Sequence, residues 1–307
     1  MKGNSQNTKL IGAFAVALSA MLWGVDGILL TPQLYNLNTA FVVFVIHLFP
    51  FLLMNLFFFK EYRQLKTMTR SDLLCFGLIA LFGGALGTLA IVKSLFLLHF
   101  NHLSVVVLLQ KLQPVFAVVL ARIILKERIK RNFALWAGIA LIAGYFLTFG
   151  WSLPDFSTEG ITTVYAALLS LLAAFSFGSS TVFSKKILGR YSFVSSTFFR
   201  YGFTTLIMLV IVLFAGHIGD FSQVTQRNWL FIALIGLTTG SGAIFLYYYG
   251  LRHVKASLST FLELMYPITA VVLDYFVNKT IYSPVQWIAA LVMLLAIVML
   301  NIDTQKK

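Results

Sequence analysis

The chain has 307 residues, of which 59% are hydrophobic and only 11% charged, and its mean hydropathy is +0.89. Soluble globular domains carry about 25% charged residues, so soluble enzymes, disordered chains and coiled coils are excluded. The net charge of +13 would suggest nucleic acid in a soluble protein; in so apolar a chain it fits the Lys and Arg excess of cytoplasmic loops, and no nucleic-acid partner is expected.

Ten apolar runs lie between polar punctuation, at 10–30, 39–59, 72–95, 103–125, 132–150, 161–184, 193–215, 228–250, 256–277 and 284–302. A helix needs about 20 apolar residues to cross a bilayer. Lipid admits only helices or closed barrels, and these runs lack the two-residue alternation of barrel strands. The predicted fold class is therefore an all-α membrane protein with ten transmembrane helices. Lys2, Lys9 and the Ala17-Leu-Ser-Ala20 segment resemble a cleavable signal. The apolar run continues past Ala20, however, and has a counterpart later in the chain, so it reads as a span.

In chain order, the first run carries Trp23-Gly24 and Asp26 in its outer part, where Asp26 reads as a solvated vestibule residue. His47 lies some eight residues into the second run. The third run holds Gly83-x-x-x-Gly87, small residues that let helix backbones approach, and the eighth holds Gly236-x-x-x-Gly240. These pairs predict tight packing of the third and eighth spans, or smooth faces along a pathway. Lys111 lies in the fourth run, roughly 12 Å deep at about 1.5 Å per residue, between Gln110 and Gln113 and just before Pro114. Arg200 occupies the seventh run, and Tyr247, Tyr248 and Tyr249 the eighth. Glu263, Tyr266 and Pro267 follow in the ninth, close to its middle. Ionisable groups within spans are functional candidates. Lys111 and Glu263 could form an ion pair that locks two helices, or contact substrate, with Glu263 also able to exchange a proton. Candidate substrate-binding residues are Lys111, Glu263, Tyr266, Trp23, Gln110, His47, Arg200 and Tyr247.

With the N-terminus inside, 17 of the 23 Lys and Arg fall in inner loops or termini, and two, Arg227 and Lys279, fall outside. This asymmetry places both termini in the cytoplasm. The chain also repeats itself. A shift of 153 residues carries Gly83 and Gly87 onto Gly236 and Gly240, Ser104 onto Ser257, Pro114 onto Pro267 and His47 onto Arg200. One further residue of shift carries Trp23-Gly24 onto Phe177-Gly178. Two halves, 1–150 and 151–307, then hold five spans each. An odd number inverts the second half, and inverted repeats place a binding site near the midplane where the halves meet.

Absences narrow the chemistry. There is no Walker-type phosphate loop, no His-Glu-x-x-His and no metal-type Cys/His spacing, and the lone Cys75 cannot form an internal disulfide. No cofactor or metal is expected, and the chain does not read as an enzyme.

The ten spans, the five-plus-five repeat, Trp23-Gly24 and the segments Leu112-Gln-Pro-Val-Phe-Ala-Val-Val-Leu-Ala-Arg-Ile-Ile-Leu-Lys-Glu127 and Leu264-Met-Tyr-Pro-Ile-Thr-Ala-Val-Val-Leu-Asp274 resemble the drug/metabolite transporter (DMT) superfamily, EamA type. The resemblance covers nearly the whole chain. It implies a bacterial inner-membrane carrier with a central cavity lined by both halves, often for amino acids or other small metabolites. The chain departs from the family's usual pattern at His47, at Lys111 and at Thr280. The expected function is a secondary transporter working by alternating access, with proton coupling open. Its substrate is a small polar metabolite, and paired charges in one cavity would suit an amino acid or derivative. The alternatives are a broad-specificity exporter of drugs or nucleotide-like metabolites, or a non-transporting membrane sensor. The partners are substrate and lipid bilayer; monomer and homodimer both stay open.

Overall fold

The structure, a computed structural model, describes residues 2–97, 109–153, 160–277, 279 and 281–305. Ser104, Thr280 and the first six residues of the predicted fourth run lie outside the described residues, as does the side chain of Asp274.

Every regular element among the described residues is a helix. In chain order they are α1 (Lys2–Val25), α2 (Thr39–Phe58), α3 (Arg70–Ile79), α4 (Gly87–Leu97), α5 (Gln113–Ile124), α6 (Arg131–Phe149), α7 (Gly160–Leu188), α8 (Phe193–Phe214), α9 (Gln226–Ile235), α10 (Ser241–His253), α11 (Ala256–Leu262), α12 (Met265–Val277) and α13 (Pro284–Gln305). By length and composition, eight described helical stretches are long and apolar enough to cross a membrane; the apolar helices Gln113–Ile124 and Arg131–Leu147 are shorter.

Several starts are written locally. A helix leaves its first N–H groups without partners. Asn38 accepts from the N–H groups of Ala40 and Phe41 at the head of α2. Thr69 with Asp72 and Thr225 with Asn228 form reciprocal capping boxes at the heads of α3 and α9. After each of these two helices comes one wide π-helical stretch, Ala80–Leu86 and Gly236–Gly240, before α4 and α10 resume. A third wide turn, Asp26–Leu30, follows α1.

The helices interlock across the middle of the sequence. α1 packs on α10 and α12, α2 on α8, α4 and α5 on α7, and α6 on α13. The glycine pairs pack the third and eighth spans tightly, each against its own neighbours. A Cβ at Gly83 would collide with Ser180, and one at Gly84 with Thr204, so the third span lies on α7 and α8. A Cβ at Gly236 would come within 3.0 Å of Phe49, which puts the eighth span against α2. Small residues serve close approach here. Many large apolar side chains face outward, Phe214 at 90% exposure and Phe57 at 74% among them. An apolar surface of that extent is what a lipid-facing wall requires.

Candidate functional site: a central cavity

All eight candidate residues picked out from the sequence line one cavity of about 270 Å³. It is walled by residues from α1, α2, α4, α5, α7, α8, α9, α10, α11 and α12 and from the three wide turns.

Broken helices shape it. Lys111 sits in a turn just before α5, and Glu263 in the turn between α11 and α12. Pro114 and Pro267 follow within one turn. Proline has no N–H to close the helical bond four residues back, so the carbonyls of Gln110 and Glu263 lose that partner. Wide turns free further carbonyls. Gly83 O, in the turn after α3, accepts from Arg200 Nη2 at 2.8 Å.

The charged groups are held as follows. Arg200 is 8% exposed; its Nη1 donates to Tyr248 OH at 3.2 Å, and its buried Nε has no hydrogen-bond partner among the described residues. Lys111, also 8% exposed, donates from Nζ to Gly144 O at 2.9 Å. Glu263 Oε2 accepts from Gln113 Nε2 at 2.6 Å, and Oε1 from Tyr247 OH at 2.8 Å and Ser259 Oγ at 3.4 Å. Tyr247 OH also meets Thr181 Oγ1 at 2.7 Å. Glu263 thus ties α5 to α10 and α11. Among the described residues no ion pair joins Lys111 to Glu263; the carboxylate binds amide and hydroxyl donors while the ammonium turns to a carbonyl.

His47 Nδ1 donates to Val43 O at 2.8 Å and the ring lies 5.2 Å from that of Tyr201. Trp23 and Tyr247 meet with ring centroids 5.4 Å apart. Tyr266 packs on Gly27, where an added Cβ would stand 3.2 Å from the phenol oxygen. Sequence reasoning passed over Asp26 as a vestibule residue, and over Thr31, Thr181 and Thr239, all of which line the cavity. The signal was present as Ser179-Ser180-Thr181 in an apolar run and Thr238-Thr239 between the paired glycines.

Buried polar groups around a membrane cavity indicate a passage for a polar solute. Comparison with known proteins decides the family. Residues 10–150 and 164–302 each match the EamA-like transporter family.

This chain belongs to the EamA-like transporter family, within the DMT superfamily.

It is thus a multi-pass inner-membrane transporter that moves small molecules, and not an enzyme. The EamA-type chain is 51% identical over 291 residues to the riboflavin transporter ImpX of Fusobacterium nucleatum subsp. nucleatum, covering 94% of this chain and 97% of that one. A solved crystal structure, 14% identical, superposes with a TM-score of 0.64 over 99% of this chain and 98% of its own. At that identity the likeness shows the fold alone.

Proposed function

We propose that this EamA-type transporter carries riboflavin by alternating access. The observation that carries the reading is the 51% identity, end to end, with a riboflavin transporter. The cavity supports it chemically. Riboflavin joins a flat aromatic ring system, edged with carbonyl and N–H groups, to a polyhydroxyl chain. The cavity offers aromatic faces from Trp23, Tyr247 and Tyr266 beside amides and hydroxyls from Gln110, Thr181 and Thr239. Such mixed walls fix the orientation of a ring system through a few polar contacts.

We read the carrier as ten helices in two inverted five-helix units, 1–150 and 151–307, with both termini cytoplasmic. The packing supports this: α1 on α10 in one direction is matched by α4 on α7 in the other, and α2 pairs with α8 as α6 does with α13. The two capping boxes, each followed by a wide turn, are a second trace of the repeat. Rocking of one unit against the other would expose the cavity to each side in turn.

Glu263 is the proposed proton site. As a carboxylate it accepts from Gln113 in one unit and from Tyr247 and Ser259 in the other. Protonation turns one oxygen into a donor and releases part of that link, which couples the charge state to movement between the units.

An amino acid or derivative is the second reading, favoured by cations and carboxylates sharing one cavity. Flux in proteoliposomes separates the two. Saturable riboflavin counterflow, undisturbed by excess amino acids, is expected; its absence overturns the substrate. Glu263→Gln should keep counterflow and lose the response to a pH gradient. A wild type indifferent to the gradient removes proton coupling. Unchanged flux in both Lys111→Met and Glu263→Gln removes those two residues from the mechanism.

A further inference from the structure

Asp26 differs from the other charged groups of the cavity in how little of the protein holds it. Arg200 and Lys111 are turned to backbone carbonyls, and Glu263 is held by three donors. Asp26 opens the wide turn after α1 and lines the cavity. Among the described residues one donor reaches it within hydrogen-bond distance, Thr31 Oγ1 to Oδ1 at 3.2 Å. The Thr239 hydroxyl faces the carboxylate from further off. Thr239 is 2% exposed, and its Oγ1 has no partner within hydrogen-bond distance among the described residues. A buried hydroxyl without a partner costs free energy that a ligand can recover.

The aromatic shelf lies alongside. Trp23 is three residues before Asp26, about 4.5 Å along a helix, and Tyr266 packs against Gly27, the next residue. A ring seated on Trp23 and Tyr266 would therefore send its side chain toward Asp26, Thr31 and Thr239. A carboxylate suits a chain of hydroxyls, because it only accepts and each hydroxyl donates. The same carboxylate repels a phosphate at the end of that chain.

We propose, resting on the riboflavin reading above, that Asp26 with Thr31 and Thr239 receives the ribityl chain and rejects flavins phosphorylated on it. This is specificity by repulsion: the ionised carboxylate disfavours the wrong ligand while accepting hydrogen bonds from the right one.

The test measures binding by quenching of flavin fluorescence, and counterflow, on the purified full-length chain. The probes are riboflavin, riboflavin 5′-phosphate and lumichrome, which keeps the ring and lacks the chain. Wild type should bind riboflavin at least about tenfold more tightly than its phosphate, given the cost of facing like charges. Asp26→Asn should shrink that ratio by about tenfold or more, a change of about 1.4 kcal/mol, and leave lumichrome unmoved. Asp26→Glu keeps the charge and should keep the discrimination. Thr31→Val, which removes a donor and no charge, should weaken riboflavin and leave the ratio in place; it serves if Asp26→Asn does not fold. An unchanged ratio in folded Asp26→Asn overturns the proposal, as does a lumichrome loss equal to that of riboflavin, or a Thr31→Val that leaves riboflavin untouched. Failure of wild type to bind any flavin overturns the substrate reading itself. Riboflavin binding that ignores Asp26 overturns only the present inference.

Discussion

Ser257 donates twice to Glu127, through its N–H at 3.2 Å and its hydroxyl at 2.5 Å, and so joins the loop after α5 to the first turn of α11. The Ala256 N–H adds a third donor at 2.9 Å. Lys255, at the capping position of α11, offers no side-chain cap. A carboxylate 130 residues away in sequence therefore does what a local Ser or Asp usually does. On the other side of the same bend, Lys185 Nζ donates to Leu251 O at 2.8 Å and Arg252 O at 2.9 Å, serving the last carbonyls of α10. Both helix ends at this bend are held from outside.

The first prediction follows from that capping. Glu127→Ala should lower stability by about 0.5–2 kcal/mol, the usual cost of losing an N-cap, and Glu127→Gln by less, since an amide oxygen still accepts. Thermal unfolding of the detergent-purified chain measures both. Equal loss in the two variants would mean that charge, not acceptance, holds the bend.

Asp72 invites a similar comparison. Its Oδ2 accepts from Thr69 N–H and hydroxyl, at 2.9 and 2.8 Å, from Tyr191 OH at 3.0 Å and from Arg190 Nη1 at 2.8 Å. Asn228 does the corresponding work at α9 without a charge: Oδ1 closes the capping box and Nδ2 donates to Gln33 O and Asn36 Oδ1. Arg190 is 55% exposed, and ion pairs in that setting contribute about 0–1 kcal/mol. Asp72→Asn should thus cost under about 1 kcal/mol, whereas Asp72→Ala loses the cap and should cost more. Equal losses by urea or thermal unfolding would show that the ion pair, absent from both variants, dominates.

Much of this architecture was legible beforehand, and the residues show why. Apolar runs and basic loops are one-dimensional signals, so the helices and the candidates from Trp23 to Tyr266 could be read from spacing and depth alone. All eight candidates do share a cavity. Partner choice was not legible. Lys111 and Glu263 look like a pair in sequence because opposite charges attract, yet Gly144 O and the Gln113–Tyr247–Ser259 donors take them. A carbonyl freed in a widened turn, such as Gly83 O, leaves no mark in composition. The same blindness hid the place of Asp26 in the cavity wall, on the wide turn that begins with it. The glycine pairs showed that helices touch but not which ones.

Gly250 tests such a contact where backbone meets backbone. A Cβ there would run into the Gly12 carbonyl and within 2.7 Å of Val16 Cγ2, so α1 and α10 would have to separate. Backbone cannot give way as a flexible side chain does, and overpacking typically costs about 1–3 kcal/mol. Gly77, inside α3, has nothing within 4 Å of such an atom. Gly77→Ala should be neutral or stabilising by up to about 1 kcal/mol from helix propensity. Thermal unfolding of the two single variants should therefore move in opposite directions, or only Gly250→Ala should move.

Arg200 carries the last prediction. Its planar fork reaches Gly83 O with Nη2 and Tyr248 OH with Nη1, while the guanidinium lies 5.7 Å from the Tyr248 ring centroid. Lysine offers a point charge on a shorter reach and cannot span both partners. Arg200→Lys should lose at least one charge-assisted hydrogen bond, about 1.5–3 kcal/mol, and leave the Gly83 carbonyl or the Tyr248 hydroxyl poorly served. Gly83, on the wide turn, lines the cavity, and Tyr248 stands behind it, bonded to Ser184 Oγ at 2.7 Å. Flux should fall more steeply than the thermal midpoint, because the wide turn after α3 forms part of the cavity wall that this fork holds in place. Arg200→Met, which keeps bulk and drops the charge, separates the two contributions: if Met and Lys variants transport alike, the fork geometry matters, and if Lys transports near the wild-type rate, the charge alone suffices.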